Sequence, residues 1–336
     1  MSPLPPIVLL AVLLGAAVLY DFINGFQDGA NIIATMIASH AMSARGALAL
    51  AAGATFAGPF LLGTAVAHTL GAEVVVPGAI SIAVAVAALV AATTWNLLTW
   101  WLRIPVSSSH ALIGGLVGST FASAGATALK PAGLIKVAAA LLVSPILGFF
   151  LAITVMNVTM WALRNATPRA NVLLSRTQLA TAAALALSNG ANDAQKTVGI
   201  IALGLLLAGF DTVFTIPWWA IAVSASMLAL GTAIGGERIV RTLGARFYHI
   251  RPIHAFASQV ASTALILGAS LAGGPVSSTH VVSMTIVGAG AAERRSKVRW
   301  MVLREIGVAW LLTVPAAALI AMPLYAAIAS LLEGRR

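Results

Sequence analysis

Two polar clusters interrupt a chain that is otherwise almost continuously apolar: "NGFQD", Asn24 to Asp28, and "NGAND", Asn189 to Asp193. Their aspartates are the residues best placed to do chemistry. Of the nine acidic residues, Glu73 and Asp211 fall in loops between apolar runs, Glu237, Glu293 and Glu305 beside basic loops, and Glu333 at the C-terminus; Asp21 is placed near a break in the first span. Asp28 and Asp193 remain, each followed by a further turn or more of apolar sequence. A carboxylate held inside an apolar span costs a few kcal/mol and is retained for a partner, an ion or a proton path. Its duplication at matched positions favours cation coupling by Asp28 and Asp193 over a structural role, such as pairing with Lys196.

The groups around the aspartates suit an anion. Asn24, Gln27 and Asn31 in the first cluster, and Asn189, Asn192, Lys196 and Thr197 in the second, bring amide, ammonium and hydroxyl donors. A second pair of motifs, "PVSSSH" and "PVSSTH", adds hydroxyls at Ser107, Ser108 and Ser109 and at Ser277, Ser278 and Thr279. Each triplet begins just after a proline, a natural helix start where hydroxyls cap the first free N–H groups. These side chains are the candidate oxyanion site. His110 and His280 end the two motifs as either proton carriers or hydrogen-bonded structural groups. Glycine and asparagine around each aspartate predict a break in both helices, which would present free N–H groups and the positive end of the helix dipole. Irregular backbone at membrane depth is tolerated only around an internal site.

The elements that must position these residues are membrane helices. The 336-residue chain is 60% hydrophobic and 8% charged, with mean hydropathy +0.98, whereas soluble domains carry about 25% charged residues. Roughly 20 helical residues cross a bilayer, and continuous runs such as Ile80 to Ala92 lack the alternation of a β-barrel. There is no cysteine and so no disulfide framework. The first apolar run has no basic leader and reads as a span rather than a cleaved signal.

Ten apolar runs lie near 4–38, 47–70, 74–101, 106–127, 133–163, 177–208, 217–235, 253–272, 276–292 and 300–332, the first and sixth interrupted by the aspartate motifs. If they alternate, one face receives Arg45, Arg103, the group Arg164, Arg169 and Arg176, the group Arg238, Arg241, Arg246 and Arg251, and the group Arg294, Arg295, Lys297, Arg299 and Arg304. The other receives only Lys130, Lys136, Arg335 and Arg336. This bias places the first face in the cytoplasm and both termini outside, in a multi-pass cell (inner) membrane protein. It also accounts for the net charge of +10 without nucleic acid as a partner.

The motifs repeat in order. "NGFQD" and "NGAND" are displaced by 165 residues, "PVSSSH" and "PVSSTH" by 170, and a glycine follows each histidine by eight, at Gly118 and Gly288. Five spans per half make the copies enter the membrane in opposite orientations, the plan of carriers whose site lies at the midplane. The expected fold is an all-α polytopic membrane protein of two inverted-topology repeats with broken or re-entrant helices at the centre. Its expected parts are an N-terminal repeat 1–163, a connecting loop 164–176 and a C-terminal repeat 177–336. GxxxG spacings at Gly114/Gly118 and Gly231/Gly235 predict close helix packing, chiefly within the subunit.

Phosphate near neutral pH both donates and accepts hydrogen bonds, whereas sulfate only accepts. An ionised aspartate can receive the phosphate proton but would face sulfate unpaired, which favours phosphate. "GANDAQKT" approaches a nucleotide phosphate loop, but its flanks read as a spanning helix and not a strand. An intramembrane hydrolase would need an oxyanion loop that is not evident, and an anion channel would conduct without coupling.

"DFINGFQDGANIIAT", "SNGANDAQKTVGI" and the paired "PVSSSH" and "PVSSTH" resemble the signature motifs of the inorganic phosphate transporter (PiT) family over essentially the whole chain. The resemblance implies a carrier, often a homodimer, that moves inorganic phosphate with H+ or Na+, in some bacterial members as a neutral metal–phosphate complex, and it implies no enzyme activity and no resident cofactor. It places the family's aspartates on Asp28 and Asp193, its asparagines on Asn24, Asn31 and Asn192, and its hydroxyl clusters on the two triplets. Bacterial relatives commonly have histidine where this chain has Gln27 and Asn189, and threonine where it has Gly29, so a proton relay through those histidines is not open to it. Some members of the family carry sulfate, which makes a sulfate permease of the same fold the alternative.

Overall fold

A computed structural model describes residues 4–39, 41–76, 80–102, 104, 106–167, 169–243, 250–294, 296, 298 and 300–332, with all of their side chains except those at 31, 169, 236–243, 302, 305 and 306. Arg103, Arg246, Arg295, Lys297, Arg299, Arg335 and Arg336, counted in the charge bias, and Glu333 lie outside the described residues. The first half contains α1 (Pro6–Ala38), α2 (Ala44–Leu61), a short α3 (Ala65–His68) that continues as a π-helical turn, α4 (Ile82–Trp101), α5 (Ser108–Ala124) and α6 (Pro131–Ala162). The second contains α7 (Arg169–Leu207), α8 (Trp218–Leu243), α9 (Pro252–Leu271), α10 (Ser278–Glu293) and α11 (Trp300–Leu332). Among the described residues seven helices are long and apolar enough to cross a bilayer, and the protein is an integral membrane protein. Every backbone polar group in lipid must be satisfied within its own segment, and helices do this.

Helix starts follow the local chemistry. Proline opens α1, α6 and α9, where its missing N–H costs nothing. Ser43, Ser107 and Ser277 cap α2, α5 and α10 by accepting from the N–H three residues on. Gly125 ends α5 and Gly273 follows α9, both with positive φ, a conformation that favours glycine.

The structure corrects the expected breaks at the aspartates. α1 runs unbroken through Asn24, Asp28 and Asn31, and α7 through Asn189, Asp193 and Thr197; Asp21 accordingly sits in mid-helix. The irregular backbone lies elsewhere, in the non-helical residues just before α5 and α10. The motif glycines serve contact instead. A Cβ on Gly25 would meet the Leu228 carbonyl of α8, one on Gly29 would meet Thr232, and one on Gly190 would meet Thr55 of α2. From the facing side, Gly231 and Gly235 lie against Phe22 and Phe26 of α1, and Gly58 against Leu187 and Ala191 of α7. Gly114 and Gly118 meet Val314 and Ala318 of α11, so both GxxxG spacings pack within the chain. α7 begins at Arg169, inside the expected connecting segment 164–176.

Packing crosses between the halves. α1 packs on α8 as α7 does on α2; α5 packs on α11 as α10 does on α6; α4 touches α5 and α11 as α9 touches α10 and α6. Exchanging α1, α2, α4, α5 and α6 for α7, α8, α9, α10 and α11 carries this set of contacts onto itself. The start of the described chain meets the end of α11, with the Leu4 N–H donating to the Leu332 carbonyl at 3.2 Å.

Candidate functional site

The two aspartate motifs and the two serine motifs converge in the interior. Asp28 of α1 accepts from the Thr279 hydroxyl at 2.6 Å and the Ser278 hydroxyl at 3.1 Å, both in the first turn of α10. Ser278 also lies 3.3 Å from Asp193 Oδ2 of α7, so one hydroxyl bridges the two carboxylates. Lys196, one turn beyond Asp193 on α7, places Nζ 2.5 Å from Asp193 Oδ1, 2.6 Å from Ser109 Oγ and 3.0 Å from the Val276 carbonyl. Lys196 is 1% and Asp193 0% exposed, so this ion pair is shielded from solvent. Ser109 Oγ donates to the same Val276 carbonyl at 3.1 Å, which ties the start of α5 to the segment before α10.

The local sequence makes this arrangement. Ser107 and Ser277 spend their hydroxyls as helix caps, accepting from the N–H groups of His110 and His280. The next two residues of each triplet are thereby held in the first turn: Ser109, Ser278 and Thr279 direct hydroxyls toward the charged groups, and the Ser108 carbonyl accepts from Tyr20 OH at 3.0 Å. His110 Nδ1 lies 2.8 Å from Ser107 Oγ. The His110 and His280 rings are 4.5 Å apart and tilted, and His280 stacks on Trp310 at 3.6 Å, so the histidines of the two helix starts adjoin.

The remaining candidates divide. Asn24 is buried and neither its Oδ1 nor its Nδ2 has a hydrogen-bond partner among the described residues; Asn189 Oδ1 and Asn192 Oδ1 are also unpartnered. Buried amides without partners are costly, and such groups at a polar centre are suited to a ligand that both donates and accepts. Other predicted members have partners on neighbouring helices. Gln27 donates to the Asn96 carbonyl of α4 at 2.6 Å, and Asn192 Nδ2 donates to Ser270 of α9 at 2.8 Å. Thr197 donates its hydroxyl to Asp21 of α1 at 2.6 Å. The Asn31 side chain lies outside the described residues.

Asp21 is the functional-site neighbour that sequence reasoning passed over. It is 1% exposed and accepts from Thr197 Oγ1 of α7 and Ser224 Oγ of α8, each at 2.6 Å. The signal was present: Asp21 precedes Asp28 by seven residues, two helical turns, and so shares its face of α1. Its two hydroxyl donors make it a tie between α1, α7 and α8. Replacing Asp21 by Ala is expected to destabilise the protein by about 1–3 kcal/mol, because Thr197 loses its acceptor while Ser224 keeps only the Ala194 carbonyl at 3.3 Å. A thermal unfolding midpoint equal to that of the unmodified chain would contradict this.

The cluster sets an ammonium group and three hydroxyls beside two carboxylates in the interior of the protein. A family model described as the phosphate transporter family matches residues 24–321. A probable low-affinity inorganic phosphate transporter of Rhizobium meliloti (strain 1021) is 40% identical over 319 residues, covering 94% of this chain and 96% of its own. One of Bacillus subtilis (strain 168) is 38% identical over 316 residues, covering 93% and 95%. Among solved structures, one titled "The sodium-dependent phosphate transporter" superposes with a TM-score of 0.88 over 95% of this chain and 98% of that one, at 22% identity. At that identity the likeness concerns the fold.

Proposed function

The chain belongs to the phosphate transporter family, and from that premise we propose that it is a symporter that carries inorganic phosphate with a coupling cation, H+ or Na+, by alternating access. The observation that carries this reading is the joining of both motif pairs into one buried cluster: Asp28 with Thr279 and Ser278, and Asp193 with Lys196 and Ser109. Lys196, the hydroxyls, the Asn24 amide and the unpartnered Asn189 Oδ1 bind the phosphate, and the carboxylate pair Asp28 and Asp193 couples the cation. Phosphate is favoured over sulfate because carboxylates at the site need a ligand with a proton to donate.

The exchange-symmetric packing supports two inverted repeats that rock against one another about the site. The meeting of Leu4 and Leu332 supports both termini lying on one face, and the basic bias of the loops assigns that face to the outside of the cell membrane.

The test is uptake of labelled phosphate and labelled sulfate into proteoliposomes under imposed proton or sodium gradients, with and without a divalent cation. Gradient-driven phosphate uptake is expected, with little sulfate uptake, and the double variant Asp28→Asn, Asp193→Asn is expected to be inactive. No phosphate uptake under any gradient, or full activity in the double variant, would overturn the proposal.

A further inference from the structure

The two halves differ in charge beside the paired aspartates. Exchange of the repeats carries Asp193 onto Asp28, Ser109 onto Thr279 and Lys196 onto Asn31. A fixed cation therefore stands in the second half where the first half has a neutral amide residue. The Lys196 ammonium has three N–H donors, and its three oxygen neighbours are a carboxylate at 2.5 Å, a hydroxyl at 2.6 Å and a backbone carbonyl at 3.0 Å. A hard monovalent cation stripped of water takes oxygen ligands of these same kinds, and carbonyls of unwound segments are a recurrent source of them in transporters. Val276 lies in such a segment, just before α10.

We infer that the Lys196 ammonium is a tethered replacement for one transported cation: it occupies the second-half member of a pair of cation positions, so that each cycle carries one free cation fewer than the duplicated aspartates would admit. This rests on the symport reading above, but it makes a separate claim about cation number. A plain structural ion pair between residues 193 and 196 predicts that neutralising the lysine leaves a damaged site with no new ligand. A tethered ion predicts that a free ion takes the vacated place, because the Asp193, Ser109 and Val276 oxygens keep their positions.

The experiment uses the full chain purified in detergent and measures equilibrium binding of labelled sodium. Lys196→Asn, which gives the second half the residue type of the first, is expected to bind one more sodium ion per chain than the unmodified protein. Lys196→Arg, which keeps a fixed charge, is expected to bind the unmodified number. In proteoliposomes the Asn variant is expected to show phosphate uptake stimulated about tenfold by sodium over choline, the equivalent of about 1.4 kcal/mol, beyond any stimulation of the unmodified chain. If neutral variants are recovered folded only when sodium is present, that outcome supports the same assignment. The assignment is overturned if the Asn variant is folded and binds no additional sodium, or if neutral variants fail to fold even in high sodium while Lys196→Arg folds. Failure of the unmodified chain to take up phosphate would instead strike the symport reading, since the sodium count requires no transport.

Discussion

Asp28→Asn alone is expected to lower phosphate uptake by about 100-fold, the rate equivalent of roughly 2.7 kcal/mol, while leaving the protein folded. The carboxylate accepts two hydroxyls, from Thr279 and Ser278, and an amide offers one acceptor oxygen and turns an N–H2 group toward the other donor. Hydrogen bonds to a charged group are each worth about 1.5–3 kcal/mol, and loss of the negative charge removes the partner for a coupling cation. Stability is expected to change little, because burial of the charge was itself costly and the amide relieves that cost. The check is initial uptake rate set beside the thermal unfolding midpoint. Uptake within threefold of the unmodified chain would show that Asp28 serves the fold rather than the ion.

The second large effect is steric. Gly25→Val is expected to abolish recovery of folded protein, a loss of more than about 4 kcal/mol, in the range reserved for gross overpacking or backbone conflict. Its new Cβ would run into the backbone carbonyl of Leu228, which has no flexible end that could give way. Gly15 in the same helix has no neighbour within 4 Å of an added Cβ, so Gly15→Ala is expected to be neutral or to gain up to about 1 kcal/mol from better helix propensity. Size-exclusion profiles of the two variants after detergent extraction decide the matter. Equal yields would mean that α1 and α8 are not held in contact through Gly25.

The contrast between these two glycines explains what the sequence could reveal. Apolar runs gave the helices, since length and hydropathy are local properties, and the repeated motifs gave the residues that converge, since duplication is visible in one chain. Glycine and asparagine in "NGFQD" and "NGAND" predict helix breaks through a propensity penalty of about 0.7–1 kcal/mol each. In the folded chain that penalty is outweighed by close backbone contact with α8 and α2, which no local rule can see. The break moved to the segments before α5 and α10, where proline and serine specify a helix start directly. Asp21 was passed over for the same reason: its partners, Thr197 and Ser224, belong to helices of the other half. Thr197, a candidate ligand from its place in the motif, donates its hydroxyl to Asp21, a partner that the motif itself does not contain.

The crossing of the halves also has a consequence for biogenesis. Asp21 must wait for Thr197, 176 residues later, and for Ser224, 203 residues later. Asp28 waits for Ser278 and Thr279, 250 and 251 residues later. At ribosomal speeds of roughly 5–20 residues per second, the last of these arrives about 10–50 s after the first helix has left the ribosome. Until Thr197 and Ser224 are made, α1 carries two carboxylates without the hydroxyls that donate to them in the finished molecule, and Asp28 remains so until Ser278 and Thr279 follow. The first helix is therefore the one most dependent on being retained by the insertion machinery until the second half of the chain has been made.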